Sequence, residues 1–210
     1  MNITYSTSQR SSVVIGLCLL TASIDATQMV TNRTLSDGAY GTHMVPLATA
    51  VINTNGSVLE MGGGDFSTPL LHALCKMHNR LLVTVETDQS WLSLFLDLES
   101  DIHHFIYLPV FENWSSPERM YGGNPELWDQ IGSDRHWGVI FIDHAPGIRR
   151  AVDIQRLRNN ADIFVVHDTQ APGYCYEPVL STFKYRFTYM RYDVTTTLVS
   201  DLIDVAKLFE

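Results

Sequence analysis

Residues 57–74 read SVLEMGGGDFSTPLLHAL. The apolar run Ser57 to Met61 carries a glutamate, Glu60, near its end. Three glycines follow, Gly62, Gly63 and Gly64, and then Ser67-Thr68-Pro69 opens a stretch in which Leu70, Leu71, Leu74 and Met77 fall on one face of a helix. Strand, glycine turn and helix form the first half of a βαβ unit, and the bare backbone of the turn lets a ligand lie against the main chain. Ser67 is placed to N-cap the helix, whose free N–H groups and dipole favour a negatively charged ligand group.

The rest of the chain repeats this unit. Arg80 to Val85, Ile102 to Leu108, Gly138 to Ile142 and Asp162 to Val166 are near-continuous apolar runs, the pattern of parallel strands covered on both faces. Between them, Trp91, Leu94, Phe95 and Leu98 have helical spacing, as do Ile148, Ala151 and Leu157. The alternation breaks at the end, where Tyr185 to Tyr192 and Thr195 to Ser200 read as an antiparallel pair closing one edge. The irregular stretch from Phe111 to His136 is long enough to serve a function, with a short helix over Pro125 to Ile131. The expectation is an α/β, doubly wound sheet in a single domain over 1–210, with an N-terminal helical cap over 1–50 and a core over 57–200.

Composition narrows the partners. With 14 Lys+Arg against 23 Asp+Glu the 210-residue chain has a net charge of −9 and no basic block, which argues against nucleic acid and against an anionic membrane. The expected partner is a small-molecule substrate, and a homodimer is open. Cys18, Cys75 and Cys175 are odd in number and lack zinc or redox spacing, so they read as reduced core thiols. Val13 to Leu20 is far too short to span a bilayer, which takes roughly 20 residues. It could be the apolar region of a signal peptide, and four N-x-S/T triplets, at Asn2, Asn32, Asn55 and Asn113, would suit secretion. The weakly charged start favours a covering helix and a cytoplasmic protein.

The chemistry gathers at the carboxyl ends of the strands, where open α/β sheets bind ligands. Glu60 closes the first strand, Glu86, Thr87 and Asp88 the second, Asp143 and His144 the fourth, His167 and Asp168 the fifth. Glu86, 24 residues after Gly62, stands where a carboxylate accepts ribose hydroxyls. A ribose acid alone suits NAD equally. The turn, however, is G-x-G-x-x-S and lacks the third glycine of the dinucleotide fingerprint, and Glu60 ahead of it would repel a pyrophosphate but attract an ammonium group. S-adenosylmethionine carries that ammonium, a carboxylate, a sulfonium and a ribose.

The E-x-G-x-G run at Glu60–Gly64, the acid-tipped strand VTVETD and the closing hairpin resemble the class I S-adenosylmethionine-dependent methyltransferases over roughly residues 38–200. FIDHAPG (141–147) and VVHDT (165–169) resemble, more distantly, the small-molecule catechol O-methyltransferase group. The resemblance implies a Rossmann-like sheet of seven strands with the last antiparallel, and methyl transfer to an oxygen or nitrogen. It places Glu60 and Gly62 beside the methionine part, Glu86 on the ribose, and Asp143 and His144 near the methyl donor, with Gly63, Gly64, Ser67 and Thr87 as further expected cofactor-binding residues. It also implies magnesium (Mg2+) on Asp143 and Asp168, although the family's third ligand, an asparagine, is here Thr169. A metal-free site with His144 or His167 as general base competes.

Tyr40, Thr42 and His43 could lie over the cofactor, and Trp114, Tyr174 and Tyr176 could meet the substrate, with Tyr121 and Trp128 as further stacking rings. Trp91 reads as core, the arginines Arg149, Arg150, Arg156 and Arg158 as a solvated helix face, and His103 and His104 as non-ligands. Two other functions stay open: an NAD- or nucleotide-dependent enzyme on a similar sheet, and an inactive S-adenosylmethionine-binding module.

Overall fold

The structure, a computed structural model, describes residues 41–109 and 125–210. Tyr40, Trp114, Tyr121, Cys18 and most of the N-terminal cap, the Val13 to Leu20 run included, lie outside the described residues. The strands are β1 (Ser57–Met61), β2 (Leu82–Glu86), β3 (His103–Tyr107), β4 (Trp137–Ile142), β5 (Ala161–Val166), β6 (Tyr185–Tyr189) and β7 (Thr196–Ser200). The helices are α1 (Met44–Ile52), α2 (Thr68–Met77), α3 (Gln89–Leu92), α4 (Pro125–Gln130), α5 (Arg149–Leu157) and α6 (Glu177–Leu180). One seven-stranded sheet runs in the order β3-β2-β1-β4-β5-β7-β6. Strands β1 to β5 pair in parallel, and β7 is antiparallel to both β5 and β6. This is the expected α/β topology, with its switch point between β1 and β4.

Strand alternation feeds two cores. Leu59, Met61, Ile140, Ile142, Phe164 and Val166 face α5, packing with Ile154, Leu157 and Trp128. Val58, Val139, Phe141, Ile163 and Val165 face the other way, against Leu47 of α1 and Leu71 of α2. The central strands β1, β4 and β5 are therefore mostly apolar along their length, because both faces are covered, with the buried Glu60 of β1 as the notable polar insertion. Strand β3 is the exception: as the sheet edge it leaves Ile106 and Tyr107 exposed.

Two helices differ from the sequence reading. The buried stripe of α2 is Thr68, Leu71, Leu74 and Cys75, while Met77 is 70% exposed. The stripe is rotated because the start of α2 is pulled inward by Thr68, whose hydroxyl bonds a buried carboxylate at the tip of β1. The expected helix over residues 91–98 is only the single turn α3 and a 3₁₀ turn, Leu96–Leu98, with Leu94 exposed.

Arg80 fastens the α1–β1 corner. Its guanidinium donates to the carbonyls of Val51, Thr54, Asn55 and Gly56, which close off the end of α1 and the following loop. Gly138 of β4 lies under that corner, and a Cβ there would fall 1.8 Å from Asn55 O and 2.7 Å from the arginine. Gly173, by contrast, has open space around it. Gly138→Ala is therefore expected to destabilise by about 3 kcal/mol or more, since backbone must move, and Gly173→Ala to stay within about 0.5 kcal/mol. Urea unfolding of both variants checks this, and equal midpoints would refute the corner's role.

Candidate active site

Two groups of polar side chains form at the strand tips, on either side of the switch point. The first belongs to β1 and β2. Gly62 has φ +93° and backs onto β4, where a Cβ would sit 2.6 Å from the backbone at Asp143 and His144. Only glycine meets both demands. Glu86 Oε2 accepts the Gly63 N–H at 2.9 Å, and Oε1 accepts those of Thr87 (2.6 Å) and Asp88 (3.0 Å). The tip of β2 is thus latched to the glycine turn. Oε2 takes this one bond and keeps a lone pair toward the turn.

Trp91, expected in the core, is half-buried beside that turn, its Nε1–H donating to Gly63 O at 2.8 Å. Ser67 makes no capping bond. The Thr68 hydroxyl instead ties the glycine turn to the helix start, accepting from Gly64 N at 2.9 Å. Glu60 is fully buried and accepts from Thr68 Oγ1 (3.1 and 3.0 Å) and Thr84 Oγ1 (2.6 Å). The carboxyl that was expected to meet a ligand ammonium is therefore spent on holding α2 to β2.

The second group belongs to β4 and β5. Asp143 Oδ2 lies 3.2 Å from His167 Nδ1, and His167 Nε2 lies 3.0 Å from Thr42 Oγ1. His43, at the start of α1, packs edge-on against the His167 ring with centroids 4.7 Å apart. Both His43 ring nitrogens are buried without a hydrogen-bond partner among the described residues. Burial, with some help from His167, holds its pKa down to about 3, so the ring is neutral. Burial pushes the Asp143 carboxyl up, but the His167 ring and the Arg150 guanidinium outweigh it and hold the group below its ordinary value.

Arg150 is the residue that the sequence reading misplaced. It is 6% exposed, not solvated, and its Nη1 is 3.1 Å from both Asp143 Oδ1 and Asp168 Oδ2. Asp168 has φ +58°, a left-handed conformation that aspartate tolerates. The other three arginines are paired as well: Arg149 and Arg156 to the buried Asp153, and Arg158 to Asp201. The signal in the sequence was a pair of acids at adjacent strand tips with no cation between them, and an arginine seven residues after the first.

His144 does not join this group. Strand parity sends it to the α5 face, where it is buried against the Trp128 ring with Nε2 3.1 Å from Asp153 Oδ2. Burial lowers its pKa despite Asp153. Tyr176 is 4% exposed and ties the second group together from behind, donating to His167 O at 3.1 Å. Tyr174 is half-buried over the Arg150 guanidinium, 4.9 Å from it.

The magnesium set does not fit these residues. A guanidinium already bridges the two aspartates, and the Thr169 hydroxyl is turned to those of Thr195 and Thr197, both at 2.9 Å. His43, Asp143 and His167 bring potential ligand atoms within 4.8 Å of one another, a donor set suited to a transition metal more than to magnesium. Among the described residues no helix is long and apolar enough to cross a membrane.

No protein-family model matches the chain, and no curated protein matches it. Solved structures do. A Klebsiella pneumoniae protein assigned as an O-methyltransferase aligns over 91% of this chain and 93% of its own, with TM-score 0.54 and 10% identity. The cofactor-bound Rv0187 from MTB aligns over 88% and 90%, with TM-score 0.55 and 14% identity. The SAH-bound methyltransferase PaMTH1 of Podospora anserina aligns over 90% and 98%, with TM-score 0.51 and 10% identity. At such identities the likeness is one of fold, and that fold is the expected Rossmann-like methyltransferase sheet.

Burial pushes the Glu60 carboxyl up to about 7 against the hydroxyls that favour its charge. The folded chain keeps this proton to about pH 7, while the unfolded chain releases it near 4.5. Glu60 therefore costs stability progressively as pH rises through that window. His43 and His103, both held near 3 by burial, act oppositely: their stabilisation is complete above 6.5 and fades as pH falls. The difference between wild type and Glu60→Gln isolates the carboxyl. The variant should gain on the order of 3 kcal/mol relative to wild type between pH 4.5 and 8. Parallel stability curves from denaturant unfolding would refute this.

Proposed function

We propose that this chain is an S-adenosylmethionine-dependent methyltransferase acting on an oxygen or nitrogen of a small molecule. The observation that carries the reading is the latch between Glu86 and the Gly63 N–H at the tips of β1 and β2, with the Asp143–His167 pair at the neighbouring tips of β4 and β5. One half is built to hold an adenosine, and the other to receive a proton. The cofactor supplies an electrophilic methyl group on a sulfonium. The free lone pair of Glu86 Oε2 accepts a ribose hydroxyl, and the half-buried Trp91 ring beside Gly63 offers a face for adenine.

On the other side, Asp143 accepts the Nδ1–H of His167, which leaves Nε2 as a proton acceptor reached through the Thr42 hydroxyl. With the cofactor bound, its methyl would be the group transferred, and the proton that the acceptor gives up would go to His167 Nε2 by way of the Thr42 hydroxyl. The neutral His43 ring has a nitrogen to orient the acceptor. Most of the rate enhancement comes from fixing donor and acceptor in line.

Thermal unfolding with S-adenosylhomocysteine, NAD or ADP separates the readings. A ligand at 100 times its Kd adds about 2.7 kcal/mol, and only S-adenosylhomocysteine should do so. Stabilisation by NAD alone would overturn the proposal. Glu86→Ala should abolish that stabilisation. His167→Ala should retain it and lower the transfer rate by about 10²–10⁴-fold. A chain that binds the cofactor yet labels no small molecule from a methyl-labelled donor would be a binding module.

A further inference from the structure

We propose that Arg150 is the resident cation of this site, filling the place between Asp143 and Asp168 that magnesium takes in the catechol-type enzymes the sequence resembles. From this, and resting on the methyltransferase reading, the acceptor is a lone hydroxyl or amine, not a chelating vicinal diol. The guanidinium is held on every edge. Its Nη1 lies 3.1 Å from a carboxylate oxygen of each aspartate and donates to Tyr176 Oη at 3.3 Å. Nε donates to His144 O at 2.6 Å and Nη2 to Asp143 O at 2.7 Å. Tyr174 covers one face of the group, and Gly147 makes room for that ring, since a Cβ there would fall 2.3 Å from it.

A side chain with partners at all three nitrogens and a ring above it is built into the site. It also stands against the local field: a cation in the first turn of α5 opposes the helix dipole, so the two carboxylates are what hold it. Thr169, at the position of the third metal ligand, is engaged with Thr195 and Thr197 at the start of β7. Magnesium requires near-octahedral oxygens at about 2.0–2.1 Å, and neither the guanidinium nor this threonine leaves such a shell.

The exchange of ions changes the chemistry. Two carboxylates and a magnesium ion sum to zero, whereas two carboxylates and one guanidinium leave one negative charge. A guanidinium has no open coordination positions, so a vicinal diol has nothing to chelate. Nor does it act as a Lewis acid on a bound hydroxyl, which leaves the proton to His167. The residual negative charge favours a neutral or cationic nucleophile over a phenolate.

The test is a metal titration of the full chain, read by thermal unfolding and independent of turnover. Wild type should show no change in Tm with millimolar Mg2+ or Ca2+ or with EDTA. Arg150→Ala should become responsive, its Tm rising by several degrees with Mg2+ as the vacated carboxylates take the ion. Arg150→Lys, which keeps a cation, should stay unresponsive. A wild-type chain stabilised by Mg2+ and weakened by EDTA would overturn the proposal, as would a folded Arg150→Ala that ignores the metal. Should Arg150→Ala fail to fold, the wild-type titration and Arg150→Lys decide the matter. Failure of the methyltransferase reading looks different: no variant would respond to S-adenosylhomocysteine, whatever the metal.

Discussion

The Arg150 guanidinium joins the polar groups at the tips of β4 and β5. Through Asp143 and Asp168 it connects the tips of β4 and β5, and through the carbonyls of Asp143 and His144 it shapes the turn into α5. Through Tyr176 it reaches the segment ahead of α6, and that same tyrosine holds the carbonyl of His167. Without the cation, the charges of two partly buried carboxylates at adjacent strand tips would be left uncompensated. The ionised Asp143 that orients His167 therefore depends on a residue that makes no contact with the histidine ring itself.

Much of the frame was legible in the sequence because its signals are local. Runs such as GVIFI and DIFVV identify buried parallel strands by themselves, and the order strand–helix–strand gives the doubly wound sheet. The position of Glu86 beside the glycine turn was legible because its distance from that turn is set by one βαβ unit. The failures share a different cause. Arg150 read as solvated because arginine usually is, and its partners come from the ends of two other elements. His144 read as a site residue because it follows Asp143, although consecutive side chains at a strand end go to opposite faces. Trp91 read as core from its spacing with Phe95, yet the helix that the spacing implied is a single turn.

The two faces of the sheet settle their buried polar groups differently. On the α2 side a chain of contacts runs from His72 to His103, Thr84, Glu60 and Thr68, with His103 deprotonated by burial and Glu60 drawn toward its protonated form. On the α5 side the groups are charged and matched: Asp153, held to about 2 by His144 and Arg149 against its burial, sits among Arg149, Arg156 and His144. The charged network anchors the helix from which Arg150 projects.

The link between the halves is Gly62. Its amide bonds to Val85 O of β2 at 2.8 Å, while its α-carbon presses on the backbone of Asp143 and His144, leaving no room for a Cβ. Asp143 N in turn donates to Met61 O at 2.8 Å. The glycine turn and the backbone of Asp143 are thus joined directly, with no loop between them to absorb a shift. The glycine at the centre of the opening sequence is explained less by the ligand it leaves room for than by the strand it must touch.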